Sequence, residues 1–108
     1  MSQDRIVKFF RDPDLKHIEL RYSHYRQEAF KKHAHDTYSI GIVKRGRTAF
    51  FHLDRTRSIG GGDIALINPG EVHACNPESG SVLTYYMLYV EPILMQKIVR
   101  GLTASVTS

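Results

Sequence analysis

His33, His35 and His73 are the side chains whose type and spacing suit chemistry. In an extended segment residues two apart point to one side, so the pair in His33-Ala34-His35 can face a single space. His73 follows the turn Asn68-Pro69-Gly70, which can bring it back toward that space from a later strand. Three converging imidazoles make a three-ligand site with an open position for a divalent metal such as Fe, Zn, Ni or Mn. At a barrel mouth the same groups would instead hydrogen-bond to water, backbone or a small molecule, and a bare H-x-H with a distant third histidine does not separate the two readings. Cys75 shares a face with His73 on a strand, but nothing orients an imidazole as its base, so nucleophilic catalysis is not expected. His52 is expected to titrate in solvent from a strand, and His17 and His24 to lie at the surface. Gly60-Gly61-Gly62 precedes a strand and lacks the Lys-Ser/Thr of a phosphate-binding loop, so it reads as a tight turn.

The elements that must position these groups are short and alternating. Ile6–Arg11, Ile18–Tyr25, Tyr38–Lys44, Arg47–Leu53, Asp63–Asn68 and Val82–Glu91 are rich in β-branched and aromatic residues and bounded by turn residues, which predicts an all-β sandwich or barrel. If the segment carrying His33 and His35 sets the inward face, period-2 alternation puts His33, His35, Ser39 and Gly41 inside, with Tyr38 and Ile40 facing away or packed under the outer layer. Either Phe50 or Phe51 supplies wall, depending on register. After Pro92 the period changes: Leu94, Met95, Ile98, Val99 and Leu102 recur at helical spacing, with Gly101 placed to end the helix and a polar tail over Thr103–Ser108.

Composition bounds the rest. The 108 residues, 42% hydrophobic and 24% charged, suit one soluble globular domain with a core of its own, and exclude disordered, collagenous and membrane-spanning classes. Cys75 has no second cysteine to pair with, and the first residues lack an apolar leader, so a cytoplasmic location is expected. The net charge of +4 is regional: residues 1–58 carry thirteen Lys/Arg against seven Asp/Glu, whereas residues 59–91 carry four acidic groups and no Lys/Arg. In the basic half charged and apolar residues alternate, as with Glu19, Arg21 and Ser23 against Ile18, Leu20 and Tyr22, which predicts a solvated strand face rather than a phosphate-binding patch.

The segments HAHDTYSIGIVKRG and GDIALINPGEVHA resemble the two motifs of the cupin superfamily, in the form found in the N-terminal effector-binding (arabinose-binding-like) domains of AraC-type transcriptional regulators. His33, His35 and Gly46 match the first motif, and Gly62, Gly70 and His73 the second, with fifteen residues between Gly46 and Gly62. Ser39 stands where the first motif has its metal-binding glutamate, which leaves a four-ligand set incomplete, and Asn68 replaces the first proline of the second motif. The resemblance implies a cupin-type double-stranded β-helix, a jelly-roll barrel, with a C-terminal α-helix. It implies an N-terminal arm over 1–16, a barrel over 17–91, and over 92–108 a helix and tail at the start of a dimerisation region. The implied function is effector sensing without catalysis or cofactor, with ligand-binding residues His33, His35, Ser39 and His73. A homodimer contact through Leu94, Ile98 and Leu102 is also implied, with DNA reached only through a helix-turn-helix region that these residues do not contain. The competing reading is a stand-alone cupin dioxygenase or isomerase with a divalent metal on His33, His35 and His73.

Overall fold

The chain folds into eight strands and one helix in a computed structural model that describes residues 5–26, 32–78 and 80–107. The strands are β1 (Arg5–Phe10), β2 (Ile18–Arg26), β3 (Tyr38–Arg45), β4 (Arg47–His52), β5 (Arg55–Gly60), β6 (Ile64–Ile67), β7 (His73–Pro77) and β8 (Val82–Val90), followed by α1 (Pro92–Thr107). They form a five-stranded sheet ordered β1-β2-β8-β3-β6 and a three-stranded sheet ordered β5-β4-β7, with every pairing antiparallel.

One register runs across the larger sheet. Arg21 faces Met87, Ser23 faces Tyr85 and Tyr25 faces Leu83, while Gly41 pairs with both Met87 and Ala65. Because side chains alternate with period 2, the odd-numbered residues of β2, β6 and β8, and those of β3 up to Val43, where a bulge shifts the register, point the same way. That way is inward: Tyr25, Val43, Ile67, Leu83, Tyr85 and Met87 bury themselves against Phe50 of the smaller sheet. Ser39 and Gly41 lie on this face, as the sequence predicts, and Phe50 rather than Phe51 is the residue that turns inward. Phe51 instead lies under the Lys32 ammonium, 4.0 Å from its ring centroid.

The alternating face of β2 is a correction. Glu19, Arg21 and Ser23 are predicted to meet solvent, yet Ser23 is fully buried and Arg21 half-buried, because they share parity with Tyr25. Alternation separates two faces without saying which is inside; in β2 the more polar face is the inner one, and Leu20 and Tyr22 pack on the outer side opposite Leu88 and Tyr86.

Two strands escape the sequence pattern. β5 is an edge strand with four successive exposed residues, and β7, His-Ala-Cys-Asn-Pro, is poor in strand formers and ends in turn residues. Both exist because they pair with β4. β4 stops one residue short of the predicted Leu53: Leu53 and Asp54 have φ of 54° and 60°, both left-handed as a two-residue type I′ hairpin requires. The Gly60–Gly62 run is a tight turn, closed by Asp63 N–H to the Gly60 carbonyl at 2.9 Å. Gly46 ends the first motif with φ of 85°, and a Cβ there would overlap the Val82 carbonyl. α1 runs through Gly101 to Thr107, past the predicted stop, since Gly101 does not take the left-handed φ of a C-terminal cap.

Candidate ligand and metal site

His33 and His73 meet through the main chain before their side chains do. His33 N–H donates to the His73 carbonyl at 3.0 Å, and His73 N–H donates back to His33 at 2.9 Å, an isolated antiparallel bridge between the segment before β3 and the start of β7. His35 is tied to the second motif in the same way, its carbonyl accepting from Gly70 N–H at 2.8 Å. The three imidazoles follow: their ligating nitrogens all lie within 4.8 Å of one another, and the ring centroids of His33 and His73 are 4.5 Å apart. His73 is buried, His35 half-buried and His33 exposed, so the cluster grades from barrel interior to solvent. Burial lowers the pKa of both His35 and His73, with neighbouring imidazoles adding to the effect and, at His73, the Glu71 carbonyl opposing it. Neutral imidazoles with free lone pairs are the form that binds a metal or accepts a hydrogen bond.

Glu71 is a positioning residue that sequence reasoning missed. Its carbonyl accepts from His73 Nδ1–H at 3.0 Å, which leaves Nε2 of His73 as the lone-pair nitrogen. Its carboxylate accepts from Asn68 N–H and from His52 Nε2–H, each at 2.8 Å, and the Asn68 contact, followed by His52, holds the carboxyl below the usual range. His52 is therefore not a solvent-facing imidazole. It belongs to the scaffold that fixes the turn carrying His73.

Two cavities meet at this cluster. A small one of about 20 Å³ lies among His33, His35, His73, Tyr25, Cys75 and Tyr85, and also touches Arg21, Met87 and Tyr89. A larger one of about 310 Å³ is lined by residues including Phe9, His17, Glu19, Thr37 and Glu91. Arg21, His35 and Tyr89 line both and form the wall between them. His17 lies on the larger cavity, 2.8 Å from Glu91 through Nδ1, rather than standing free at the surface. His24 is held on the outer face, with Nδ1 2.8 Å from the Thr84 hydroxyl. Of the four predicted ligand-binding residues the structure brings the three histidines together; Ser39 is buried on the inner face and lines neither cavity. Cys75 is close to the cluster, but burial raises its thiol to about 11, unlike an activated nucleophile.

The imidazoles fit a metal. Two nitrogens bonded to one ion at roughly 2.1 Å can stand at most about 4.2 Å apart, so the upper end of the observed spread closes with a small ring movement.

The sequence matches the family described as AraC-like ligand binding domain over residues 15–107. It is 35% identical over 94 residues to YbfI, an uncharacterized HTH-type transcriptional regulator of Bacillus subtilis (strain 168); the match covers 87% of this chain and 34% of that protein. The chain thus spans about a third of the length of that relative. The fold is similar to an RmlC-like cupin family protein from Methanocaldococcus jannaschii, a double-stranded β-helix, with a TM-score of 0.72, 14% identity and 83% of each chain covered. A cupin 2 conserved barrel domain protein from Salinispora arenicola gives a TM-score of 0.72 at 16% identity, covering 93% of this chain and 87% of its own. The barrel is accordingly a cupin double-stranded β-helix followed by one helix.

The Glu71 carbonyl contact makes one expectation specific. In metal-free protein at neutral pH, His73 is the neutral Nδ1–H tautomer, and long-range nitrogen–proton NMR shows a protonated Nδ1 with a bare Nε2. An Nε2–H tautomer would contradict this geometry.

Proposed function

The chain belongs to the AraC-like ligand-binding domain family, and from that premise we propose that it is the effector-binding module of an AraC-type transcriptional regulator. The observation that carries this reading is the cavity of about 310 Å³, which lies at the lower end of the range for small-molecule sites and abuts the histidine cluster. In this reading the effector is a small molecule, His33, His35 and His73 supply polar contacts, and no catalytic step is needed. Ser39, off the cavity walls, would act from beneath the site. DNA and a cytoplasmic setting enter through the regulator as a whole; among the described residues no helix is long and apolar enough to cross a membrane.

The geometry offers a route out of the site. Glu91 lines the larger cavity, pairs with His17, and caps α1: its carbonyl accepts from Leu94 N–H at 3.0 Å, and Pro92 occupies the first helical position. A ligand that disturbs the His17–Glu91 pair acts directly on the first turn of the helix. Along α1, Leu94, Ile98 and Leu102 recur at four-residue spacing on one face, with Ile98 46% and Leu102 63% exposed, and we assign them to a homodimer contact.

The convergence of three imidazole donors favours a second reading, a metal-dependent cupin enzyme of the dioxygenase or isomerase kind. His33, His35 and His73 would hold Fe, Zn, Ni or Mn, which supplies Lewis acidity or, for iron, redox chemistry. With Ser39 in place of a carboxylate ligand, the donor set is neutral and attracts a cation less strongly.

Thermal-shift screening against sugars, organic acids and amino-acid derivatives tests the effector reading. A true ligand at 100 times its Kd stabilises the fold by about 2.7 kcal/mol, and a broad panel without any shift counts against it. In sedimentation equilibrium the chain is expected to be dimeric, and Ile98→Glu with Leu102→Glu to yield monomers; a dimer indifferent to both changes removes the helix contact. Elemental analysis of protein purified without chelator addresses the metal: near-stoichiometric metal lost in both His35→Ala and His73→Ala would favour the enzyme reading.

A further inference from the structure

The wall between the two cavities contains a half-buried guanidinium. Arg21 points inward from β2, opposite Met87, and lines both cavities. Its Nε is fully buried and has no hydrogen-bond partner, while its charged end lies near the Tyr89 hydroxyl. The Phe9 ring covers one side, its centroid 5.9 Å from Cζ.

Two of the three carboxylates lining the larger cavity are engaged elsewhere, and the third is exposed. Glu19 bonds Arg11 at 2.7 Å and Glu91 bonds His17 at 2.8 Å, and Asp36, also on the wall, is exposed and adjoins His35. Among the described residues no carboxylate lies within ion-pair distance of Arg21. Burying a cation is costly unless a counter-charge and hydrogen bonds meet it, and a guanidinium is satisfied best by a planar carboxylate that accepts two parallel N–H groups. A sugar hydroxyl provides no counter-charge.

We propose that the molecule this domain binds is a small organic acid whose carboxylate is anchored by Arg21, with its apolar part in the larger cavity between Phe9 and Ile18. The inference rests on the effector-binding reading and narrows it to a ligand class. His35 and Tyr89, which share the wall with Arg21, are the neighbouring donors to the same headgroup.

The test uses the full chain with 1,10-phenanthroline present, so that metal cannot hold the acid. Benzoate and hexanoate are titrated beside benzamide and hexanamide, with D-glucose as a neutral polyol and inorganic phosphate as a second anion. At least one acid is expected to bind about tenfold or more tighter than its amide, and Arg21→Met to bring that ratio close to one. Arg21→Lys keeps the charge without the two-pronged donor and should retain part of the preference. Equal binding of acids and amides, a preference that survives Arg21→Met, or stronger binding of phosphate than of either acid overturns the proposal. Should Arg21→Met fail to fold, the acid-to-amide ratio of the unmodified chain and of Arg21→Lys decides the matter. Binding of glucose alone would defeat the carboxylate assignment and leave the effector reading standing, whereas the effector reading itself falls only if the broad panel yields no ligand.

Discussion

Everything in the barrel follows from one constraint, the common inward register of β2, β8, β3 and β6. Because Arg21 pairs with Met87, Met87 with Gly41 and Gly41 with Ala65, a slip of one residue in any strand would exchange its inner and outer sets. The apolar members Tyr25, Leu83, Tyr85 and Met87 are numerous enough to hold that register. Its polar members, Glu19 and Arg21, are carried inward toward the cavity end of the same strand without choosing to be there. The hydrophobic core thus places the site's charged residues, and those residues need contribute nothing to stability themselves.

A second layer of support comes from polar contacts that never enter the cavities. Glu71 joins β4, the turn at Asn68 and the ring of His73, using its two carboxylate oxygens and its carbonyl. Side chains held in this manner have their orientation already set, so that any binding through them would cost less ordering entropy. Beyond the site, the His17–Glu91 pair stands where cavity wall becomes helix. The arrangement puts the wall of the larger cavity one residue away from α1.

Much of this was legible in the residues. The two motifs located His33, His35 and His73, and once the first motif is taken to face inward the alternation of β3 places Ser39 and Gly41 inside, where they lie. Arg55–Gly60 and His73–Pro77 fall outside the six alternating segments, although His73 and Cys75 are read as strand residues, because what makes them strands lies in β4, their partner, and not in their own residues. Arg21 was misplaced for a related reason. A strand with one apolar and one mixed face normally hides the apolar one, and only the pairing with β8 shows that a barrel with a polar mouth reverses that preference locally. Glu71 sat beside His73 in the sequence, but its partner His52 is nineteen residues distant, and neither residue's role can be read without the other.

The reciprocal main-chain bridge between His33 and His73 has a bearing on how such domains diversify. It fixes the separation of two site positions through N–H and C=O groups alone, which every residue except proline possesses. Either imidazole can be exchanged for another side chain while the backbone beneath it keeps its place. A lineage built on this barrel can therefore change the side chains presented at these two positions by point substitution, one at a time, without refashioning the fold that carries them.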